Sequence, residues 1–226
     1  MRLLSNEPET PTTRRVRLDV DGIPFLYRAG QAASLAAGSA EPTPYSIASA
    51  PHETARHGWL EFLVKVDGSS RFGAIVETLQ PGARIQVEGP AGRFVLPELS
   101  DDVPLVFIAG GTGIAPMRSM IVEALYQGHR GNRSLVYSAR SPGEFAYLDE
   151  LRGLAEQGQL ALTLTLTGEV EEWAHARGRA RAEHFSELVH PGAMAFICGP
   201  PAMVADLPPA LVALGFPRDR VRTDDW

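Results

Sequence analysis

Hydrophobic and polar residues alternate in short runs through the first hundred residues. Alternation over residues 14–20 predicts a half-buried strand, and Asp21-Gly22 is typical of a hairpin turn, so we expect a return strand over residues 23–28. The same pattern predicts short strands over residues 32–36, 45–48, 59–66 and 84–88, and one small helix over residues 70–79. Many short strands with a single small helix indicate an antiparallel β-barrel.

The pattern changes near residue 100, where apolar runs begin to alternate with segments of helical spacing. Strands are predicted over residues 103–107, 134–138, 160–167, 193–198 and 220–222. Helices are predicted over residues 117–126, 145–154, 184–189 and 203–214, the last one interrupted or restarted at Pro208 and Pro209. This alternation indicates a parallel sheet with helices on both faces. We therefore expect two domains, residues 1–100 and 101–226.

A glycine-rich loop joins the first strand of the second half to its helix. The loop contains Gly110, Gly111, Thr112 and Gly113, and Pro116 falls in the first helical turn, where the missing N–H of proline is not needed. Glycines allow close approach of the backbone to a ligand, and the start of a helix attracts phosphate. Glycine turns also occur in units that bind nothing, so this loop needs the support of other motifs.

Composition and charge exclude several classes of function. The net charge is −6, and the basic residues are scattered, which argues against nucleic-acid binding. The single Cys198 excludes an internal disulfide and a four-cysteine iron–sulfur site in this chain, and the histidines show no pairing typical of a metal site. No apolar run reaches the length of a membrane span, and residues 1–8 lack a signal-peptide core, so we expect a cytoplasmic protein without membrane association.

Four stretches of the chain resemble motifs of the ferredoxin–NADP reductase superfamily, in the same order. Residues 44–49 resemble the flavin motif Arg-x-Tyr-Ser, and residues 89–94 resemble the turn Gly-Pro-x-Gly-x-Phe. Residues 110–116 resemble the pyrophosphate loop, and residues 198–201 resemble the Cys-Gly-Pro motif on the nicotinamide side. The resemblance is to the bare reductase module without an iron–sulfur domain. It implies a flavin-binding β-barrel followed by a Rossmann-like NAD(P)-binding domain.

The resemblance implies roles for the residues around the flavin ring. Tyr45 would pack against the isoalloxazine, and Ser46 would lie near its N5 atom, with Pro44 preceding them in the same motif. Without the other motifs, Tyr45 is equally well explained as an aromatic residue on the face of a strand. The resemblance implies FAD as the bound flavin, and FMN stays open as the alternative because Thr43 stands where the family usually has an arginine.

The residues expected at the flavin phosphates include one departure from the family pattern. Thr43 stands where the family usually has an arginine, and threonine brings no charge, so the flavin is expected to be held more weakly. Ser69, Ser70 and Arg71 correspond to a second stretch that contacts the phosphates in the family. Arg71 either replaces the missing charge or is a solvated residue at the start of a helix.

The resemblance assigns the nicotinamide cofactor to the second domain. The residues expected to bind it are Gly110, Gly111, Thr112, Gly113, Pro116, Ser138, Arg140, Cys198, Gly199 and Pro200. Cys198 ends a strand at the sheet edge where open α/β sheets bind ligands, although a free cysteine is more often a small core residue. Ser138 and Arg140 correspond to positions that bind the 2′-phosphate of NADPH, which favours NADPH slightly over NADH; a plain surface arginine is the alternative.

The C-terminus resembles family members that end in an acidic and an aromatic residue. Trp226 would stack on the isoalloxazine, and Asp224, rather than Asp225, would orient the nicotinamide amide. A frayed tail is the alternative. The residues expected to take part in catalysis are Ser46, Cys198, Asp224 and Trp226.

The implied function is that of an NAD(P)H-dependent flavoprotein reductase. Hydride would pass from the nicotinamide to bound FAD, and electrons would then pass to a separate iron–sulfur protein, haem protein or oxygenase component. Two alternatives stay open. One is a reductase of free flavin, and the other is an electron-transfer or regulatory subunit of low turnover, whose flavin binding Thr43 has weakened.

Overall fold

A computed structural model of the chain describes residues 1–20, 22–98, 102–169, 172–190 and 192–224. We use "first half" for the described residues up to 98 and "second half" for those from 102 onwards. The domain boundary predicted between residues 100 and 101 lies outside the described residues and stays a prediction. Trp226 and Asp225 also lie outside them.

The described first half consists mainly of short strands, with two helices. Its elements are β1 (Arg2–Thr10), β2 (Thr13–Asp19), β3 (Ala32–Ala36), β4 (Thr43–Ser46), α1 (Pro51–His57), β5 (Trp59–Lys65), α2 (Arg71–Thr78) and β6 (Gln86–Ala91). Within these residues the strands form two antiparallel sheets, in the orders β1-β2-β5 and β4-β3-β6. Bridges between Arg2 and Arg84 and between Ile47 and Phe62 join the two sheets. The antiparallel barrel is therefore confirmed.

Alternation along the strands places the apolar side chains inside this barrel. Val16 and Leu18 of β2 lie opposite Phe62 and Leu60 of β5, and all four are fully buried. Phe72 of α2 joins the same core. Burying a side chain of this kind stabilises the fold by roughly 1.5–3 kcal/mol.

Two local predictions for the first half are wrong, and one helix was not predicted. Residues 23–28 form no strand, because Tyr27 is fixed in an irregular segment by hydrogen bonds from its hydroxyl to Ser49 and Thr54; β2 pairs with β1 instead. The turn expected at the start of the motif over residues 89–94 is not found, because residues 89–91 belong to β6, which pairs with β3 through an irregular register that accommodates one extra residue. The helix α1, which begins with Pro51 at its N-terminus, had no predicted counterpart.

The described second half alternates strands and helices. Its elements are β7 (Leu105–Gly110), α3 (Ile114–Tyr126), β8 (Arg133–Ala139), α4 (Leu148–Glu156), β9 (Ala161–Leu166), β10 (Ala176–Arg177), β11 (Met194–Cys198), α5 (Pro201–Leu214) and β12 (Val221–Thr223). In these residues the strands form one parallel sheet in the order β10-β9-β8-β7-β11-β12. The predicted α/β fold is confirmed, and strand order reverses direction between β7 and β11, where such sheets bind ligands.

Two helix predictions for the second half need correction. The helix expected over residues 184–189 consists of short 3-10 turns, Ala182–His184 and Ser186–Leu188. The helix α5 continues through Pro208 and Pro209 without interruption, because Leu207 and Leu211 beside them are buried against the sheet and offset the lost backbone hydrogen bonds. Among the described helices, none combines the length and apolar character that a membrane span requires.

The two halves share a hydrophobic core. Ala48, Leu63 and Leu96 of the first half are buried in the same cluster as α3 and the face of the parallel sheet that α3 covers. The ring of Phe94 packs edge-on against Phe196 of β11, with 5.9 Å between ring centres. This shared core brings the end of β4 close to the ends of β7 and β11.

Candidate active site

Two loops pack tightly together where the strand order reverses. After β7 the chain makes a 3-10 turn, Gly111–Gly113, and enters α3; after β11 it passes through Cys198 and Gly199 into α5. A Cβ atom on Gly113 would overlap the carbonyl oxygen of Cys198 and lie 2.9 Å from the nitrogen of Gly199. A Cβ on Gly110 would lie 2.7 Å from Cδ of Pro200. Only glycine allows the two loops to approach this closely.

Gly111 differs from the other glycines of this loop. It has φ +54°, and a Cβ added to it would meet nothing within 4 Å, so the loop faces open space at this point. Thr112, beside it, is partly exposed, while Pro116 is buried in the first turn of α3. The backbone here can approach a bound phosphate without obstruction, which fits the pyrophosphate of a dinucleotide.

Tyr137 of β8 holds the Gly111–Gly113 turn in place through its hydroxyl, a role that was not predicted from the sequence. Its hydroxyl donates a hydrogen bond to the carbonyl oxygen of Gly111 (3.1 Å) and accepts one from the N–H of Ala146 (3.1 Å). Burial raises the pKa of Tyr137, so the hydroxyl keeps its proton and remains a donor. The signal in the sequence was a tyrosine inside a buried strand, since its hydroxyl needs a partner there.

Ser46, Cys198 and Asp224 meet at the junction of the two halves. The hydroxyl of Ser46 donates to Oδ2 of Asp224 (3.3 Å), and the thiol of Cys198 donates to the same oxygen (3.5 Å). Asp224 is buried. Its N–H donates to the carbonyl oxygen of Ile197 in β11 (3.0 Å), so the pairing of β12 with β11 continues as far as Asp224. We call these three residues the junction triad.

The junction triad keeps its thiol protonated. Burial raises the pKa of Cys198 well above the ordinary value, and the carboxylate of Asp224 raises it further. A protonated thiol is a poor nucleophile but a competent, if weak, hydrogen-bond donor. Cys198 therefore fits a role in packing and hydrogen bonding at the site, and covalent catalysis is not supported by its environment.

The residues predicted at the flavin lie along β4 and the start of α2. The ring of Tyr45 packs against Phe72, with 5.4 Å between ring centres, and its hydroxyl lies 3.5 Å from Oγ of Ser70. Ser70 caps α2 by accepting a hydrogen bond from the N–H of Gly73 (2.9 Å). Burial raises the pKa of Tyr45, so its hydroxyl also stays protonated. An aromatic ring beside hydroxyl donors and a helix start fits a flavin and its phosphates.

Three further residues expected at the flavin phosphates already have partners within the chain. Thr43 donates its hydroxyl to the carbonyl oxygen of Glu41 (3.2 Å), and the N–H of Ser69 donates to Asp67 (3.1 Å). Arg71 is exposed and donates from Nη2 to Oγ of Ser39 (2.8 Å). Arg71 thus places a positive charge at the start of α2, whereas Thr43 in β4 carries no charge. Pro44, between Thr43 and Tyr45, is exposed.

Ser138 and Arg140 differ in how they fit a 2′-phosphate. Ser138 pairs with Gly110 in the sheet and is buried, so its hydroxyl is poorly placed for a ligand. Arg140 follows β8 directly and is exposed, and its carbonyl oxygen accepts a hydrogen bond from the N–H of Gly168 (3.1 Å). The backbone of Arg140 is therefore fixed at the ligand edge of the sheet while its guanidinium is open to solvent. Trp226 lies outside the described residues, and its stacking on the flavin stays a prediction.

Two protein families match this chain, one in each half. Residues 1–96 match the oxidoreductase FAD-binding domain family, and residues 107–208 match the oxidoreductase NAD-binding domain family. Both matches fall on the halves in which the corresponding motifs lie.

Two curated relatives differ in length. Ferredoxin–NADP reductase B of Sorangium cellulosum is 31% identical over 239 residues, an alignment that covers 100% of this chain and 96% of that protein. The terephthalate 1,2-dioxygenase reductase component 2 of Comamonas is 30% identical over 211 residues, which cover 89% of this chain and 59% of that protein. The chain thus spans nearly all of the first relative and somewhat more than half of the second.

Solved structures show the same fold. A cytochrome P450 reductase of Amycolatopsis superposes with a TM-score of 0.88 at 28% identity, over 99% of this chain and 68% of that chain. A ferredoxin NADP⁺ reductase of Neisseria gonorrhoeae, crystallised with bound FAD and NADP, superposes with a TM-score of 0.84 at 21% identity, over 99% of this chain and 96% of that chain.

Proposed function

We propose, from the premise that this chain belongs to the ferredoxin–NADP reductase family, that its junction triad marks the place where hydride passes from NAD(P)H to FAD. The chain is an NAD(P)H-dependent flavoprotein reductase that passes electrons to a separate acceptor. The observation that supports the proposed place is the pair of hydrogen bonds from Ser46 and Cys198 to one oxygen of Asp224, because they join the FAD-binding and NAD-binding halves at one point.

The chain's own residues would orient and shield the reacting groups. When bound, FAD supplies the atom that accepts hydride and releases electrons to the acceptor. Asp224 holds the hydroxyl of Ser46 and the thiol of Cys198 in place, and Ser46 can turn its O–H from Asp224 toward a ligand. Cys198 stays neutral and adds no charge beside the reaction path. Asp224 is itself buried, so its carboxylate is shielded from bulk water.

Binding of the two cofactors would divide between the halves. Tyr45 would face the flavin ring, while Ser69, Ser70 and Arg71 would contact its phosphates. The loop of Gly110–Gly113 and the segment Cys198–Pro200 would bind the nicotinamide cofactor. We propose residues 1–100 and 101–226 as the two domains. The stacking of Trp226 on the flavin belongs to the same proposal and rests on the family resemblance alone.

Thr43→Arg is expected to tighten flavin binding about tenfold or more, because a charge-assisted contact to a phosphate is worth roughly 1.5–3 kcal/mol. The hydroxyl of Thr43 now donates to the carbonyl oxygen of Glu41, so the exchange removes only this one local hydrogen bond. Flavin released on dilution, measured by fluorescence, would report the change. Thr78→Arg, which adds the same charge at the far end of α2, is the matched control. Equal retention in wild type and Thr43→Arg would show that position 43 does not contact the phosphates.

Arg140→Ala is expected to shift coenzyme preference away from NADPH by about tenfold or more, since the 2′-phosphate would lose a charge-assisted hydrogen bond. The measurement is kcat/KM for NADPH and for NADH in the same preparation. Arg152→Ala, which removes an exposed arginine of α4, is the control. An equal loss with both coenzymes would place the guanidinium of Arg140 away from the 2′-phosphate.

The electron acceptor is proposed to be a separate protein. The relatives include reductase components of dioxygenase and monooxygenase systems and a cytochrome P450 reductase, each named for a system with a further component. By analogy, an iron–sulfur protein, a haem protein or an oxygenase component would receive the electrons here.

An assay with different acceptors tests this function. The purified protein should be yellow and release FAD, and it should reduce ferricyanide and a small ferredoxin at the expense of NADPH or NADH. Reduction of added free FAD or FMN faster than of either of these acceptors would instead favour the free-flavin reductase. A protein that binds flavin and nicotinamide but reduces none of the acceptors would favour the low-turnover subunit.

A further inference from the structure

A buried arginine in α3 joins the two halves directly. Arg118 donates from Nη1 to the carbonyl oxygen of Ala48 (2.9 Å) and to Oε2 of Glu53 (2.8 Å), and from Nη2 to Oε1 of Glu53 (3.0 Å). It also donates from Nε and Nη2 to the carboxylate of Glu150 in α4 (2.7 and 2.8 Å). Only 7% of Arg118 is exposed, so these bonds lie in a poorly hydrated environment where they are strong.

The partners of Arg118 fall into two groups. Glu150 belongs to the same half as Arg118, whereas Ala48 and Glu53 belong to the other half. Ser119, the next residue of α3, adds a second link of this kind by donating its hydroxyl to the carbonyl oxygen of Ser49 (2.7 Å). Further along α3, Glu123 lies 2.7 Å from the ring nitrogen Nδ1 of His52. We call the contacts of α3 with residues 48–53 the domain seam.

The two segments that form the domain seam, residues 48–53 and helix α3, each begin close to the proposed site of hydride transfer. Ala48 is two residues beyond Ser46, the last residue of β4. The helix α3 begins directly after the Gly111–Gly113 turn, and this turn packs on Cys198. One rigid helix therefore runs from the loop expected to bind the nicotinamide cofactor to the segment that follows the flavin-facing strand.

Arg118 and Glu53 of the domain seam are both ionised at neutral pH. Burial by itself lowers the pKa of Arg118, but the two carboxylates outweigh this and hold it above its ordinary value. Burial likewise raises the pKa of Glu53, but Arg118 outweighs it, and the pKa is lowered. The pair is thus ionised at neutral pH, and removing one charge leaves the other buried without its counter-ion.

We propose that Arg118 is a positioning residue for hydride transfer, which fixes Ser46 on the FAD-binding half relative to Cys198 on the NAD-binding half. This inference rests on the proposed function. Hydride transfer needs the reacting atoms about 3–3.5 Å apart, and a misplacement of about 1 Å can cost a hundredfold in rate. Flavin and nicotinamide would be bound on different halves, so a small rotation about the domain seam would change their separation directly.

The two carboxylate partners of Arg118 allow a matched comparison. Glu53→Gln weakens the contact that crosses the seam, and Glu150→Gln weakens the contact within one half. Both changes are isosteric and remove one negative charge. Glutamine at position 53 can still accept the hydrogen bond that Glu53 receives from the N–H of Ala50 (2.8 Å), so the start of α1 is preserved.

The first measurement is anaerobic stopped-flow reduction of the bound flavin by NADPH and NADH. Glu53→Gln is expected to lower the limiting rate about tenfold, because the geometry of transfer is disturbed. The nicotinamide Kd should stay within about twofold, because that cofactor would bind to residues of one half only. Glu150→Gln should keep both values within about twofold of wild type. Equal limiting rates in the two variants would overturn the proposal.

The second measurement needs no cofactor. Cys198 is the only cysteine of the chain; it is partly exposed, and its thiol donates to Asp224 at the junction of the halves. A rate of labelling by N-ethylmaleimide at pH 7 above that of the wild type therefore reports loosening of this junction. Glu53→Gln is expected to be labelled several-fold faster than wild type or Glu150→Gln, and Ser119→Ala to change in the same direction by a smaller factor. Equal labelling of all four proteins would contradict the role of the domain seam.

The two measurements also separate this inference from the proposed function. If the wild-type flavin is not reduced by either coenzyme, the proposed function fails, while the labelling comparison still stands or falls by itself. If the wild type is reduced normally and Glu53→Gln matches Glu150→Gln in both measurements, only the positioning role of Arg118 is overturned.

Discussion

Gly113→Val is expected to lower kcat/KM for the nicotinamide cofactor about a hundredfold or more while most of the flavin remains bound. Any side chain at this position would overlap the carbonyl oxygen of Cys198, and that oxygen belongs to backbone that cannot turn aside. Strand β11 and helix α3 would have to separate, which displaces Cys198 from Ser46 by an amount on the scale that costs a hundredfold in rate. The flavin should be retained because it would bind mainly to the first half.

Gly143→Val is the matched control for this experiment. A Cβ at Gly143 would meet nothing within 4 Å, so the same substitution there should leave the kinetics unchanged. Gly111→Asn tests whether the nucleotide approaches this loop, without disturbing the packing of the loop itself. Asparagine tolerates a positive φ, and its side chain would enter the open space beside Gly111. It should raise the KM for the nicotinamide cofactor without the loss of limiting rate. A Gly113→Val protein with wild-type kinetics would contradict the close contact with Cys198.

Ser46→Ala is expected to lower the limiting rate of flavin reduction about a hundredfold, the usual effect of removing one oriented donor from a reaction centre. Asp224 orients that hydroxyl, so Asp224→Ala should lower the rate in the same direction. Anaerobic stopped-flow absorbance gives this rate directly. Ser34→Ala, on the strand that pairs with β4, is the control and should behave as wild type. Flavin content should be equal in the wild type and the three variants, and an unchanged rate in Ser46→Ala would exclude a catalytic role for this hydroxyl.

The local pattern of the sequence predicted those parts of the fold in which neighbouring residues determine the structure. The run over residues 103–107 followed by glycines and helical spacing became β7, the Gly111–Gly113 turn and α3. The glycine and proline motifs predicted the turn after β7 and the segment after β11, because each is short and its backbone conformation depends on its own residues.

Elements that depend on distant partners were not predictable in the same way. Strand β1 has few buried positions and is held by pairing with β2, so its own residues show little alternation. Residues 23–28 have the composition of a strand, but Tyr27 bonds to Ser49 and Thr54 and fixes them outside a sheet. In both places tertiary contacts outweigh local preference.

The candidate active site was likewise only partly predictable from the sequence. Ser46 and Asp224 are 178 positions apart in the sequence, and only the packing of the halves brings their side chains to 3.3 Å. Arg118 was not recognisable as a link between the halves, although an arginine and a serine between Met117 and Met120 on a buried helix face require polar partners somewhere in the fold. The sequence thus indicated the cofactors and their loops, and the structure added the residues that hold the loops together.

Direct hydride transfer at the junction triad is tested most directly by a single anaerobic turnover of the flavin-loaded protein. The flavin absorbance should bleach on mixing with NADPH or NADH, more slowly with coenzyme deuterated at the transferred C4 position, and about a hundredfold more slowly in Ser46→Ala. Bleaching at the same rate in wild type and Ser46→Ala, or a bound flavin that neither coenzyme reduces, would contradict transfer at this place.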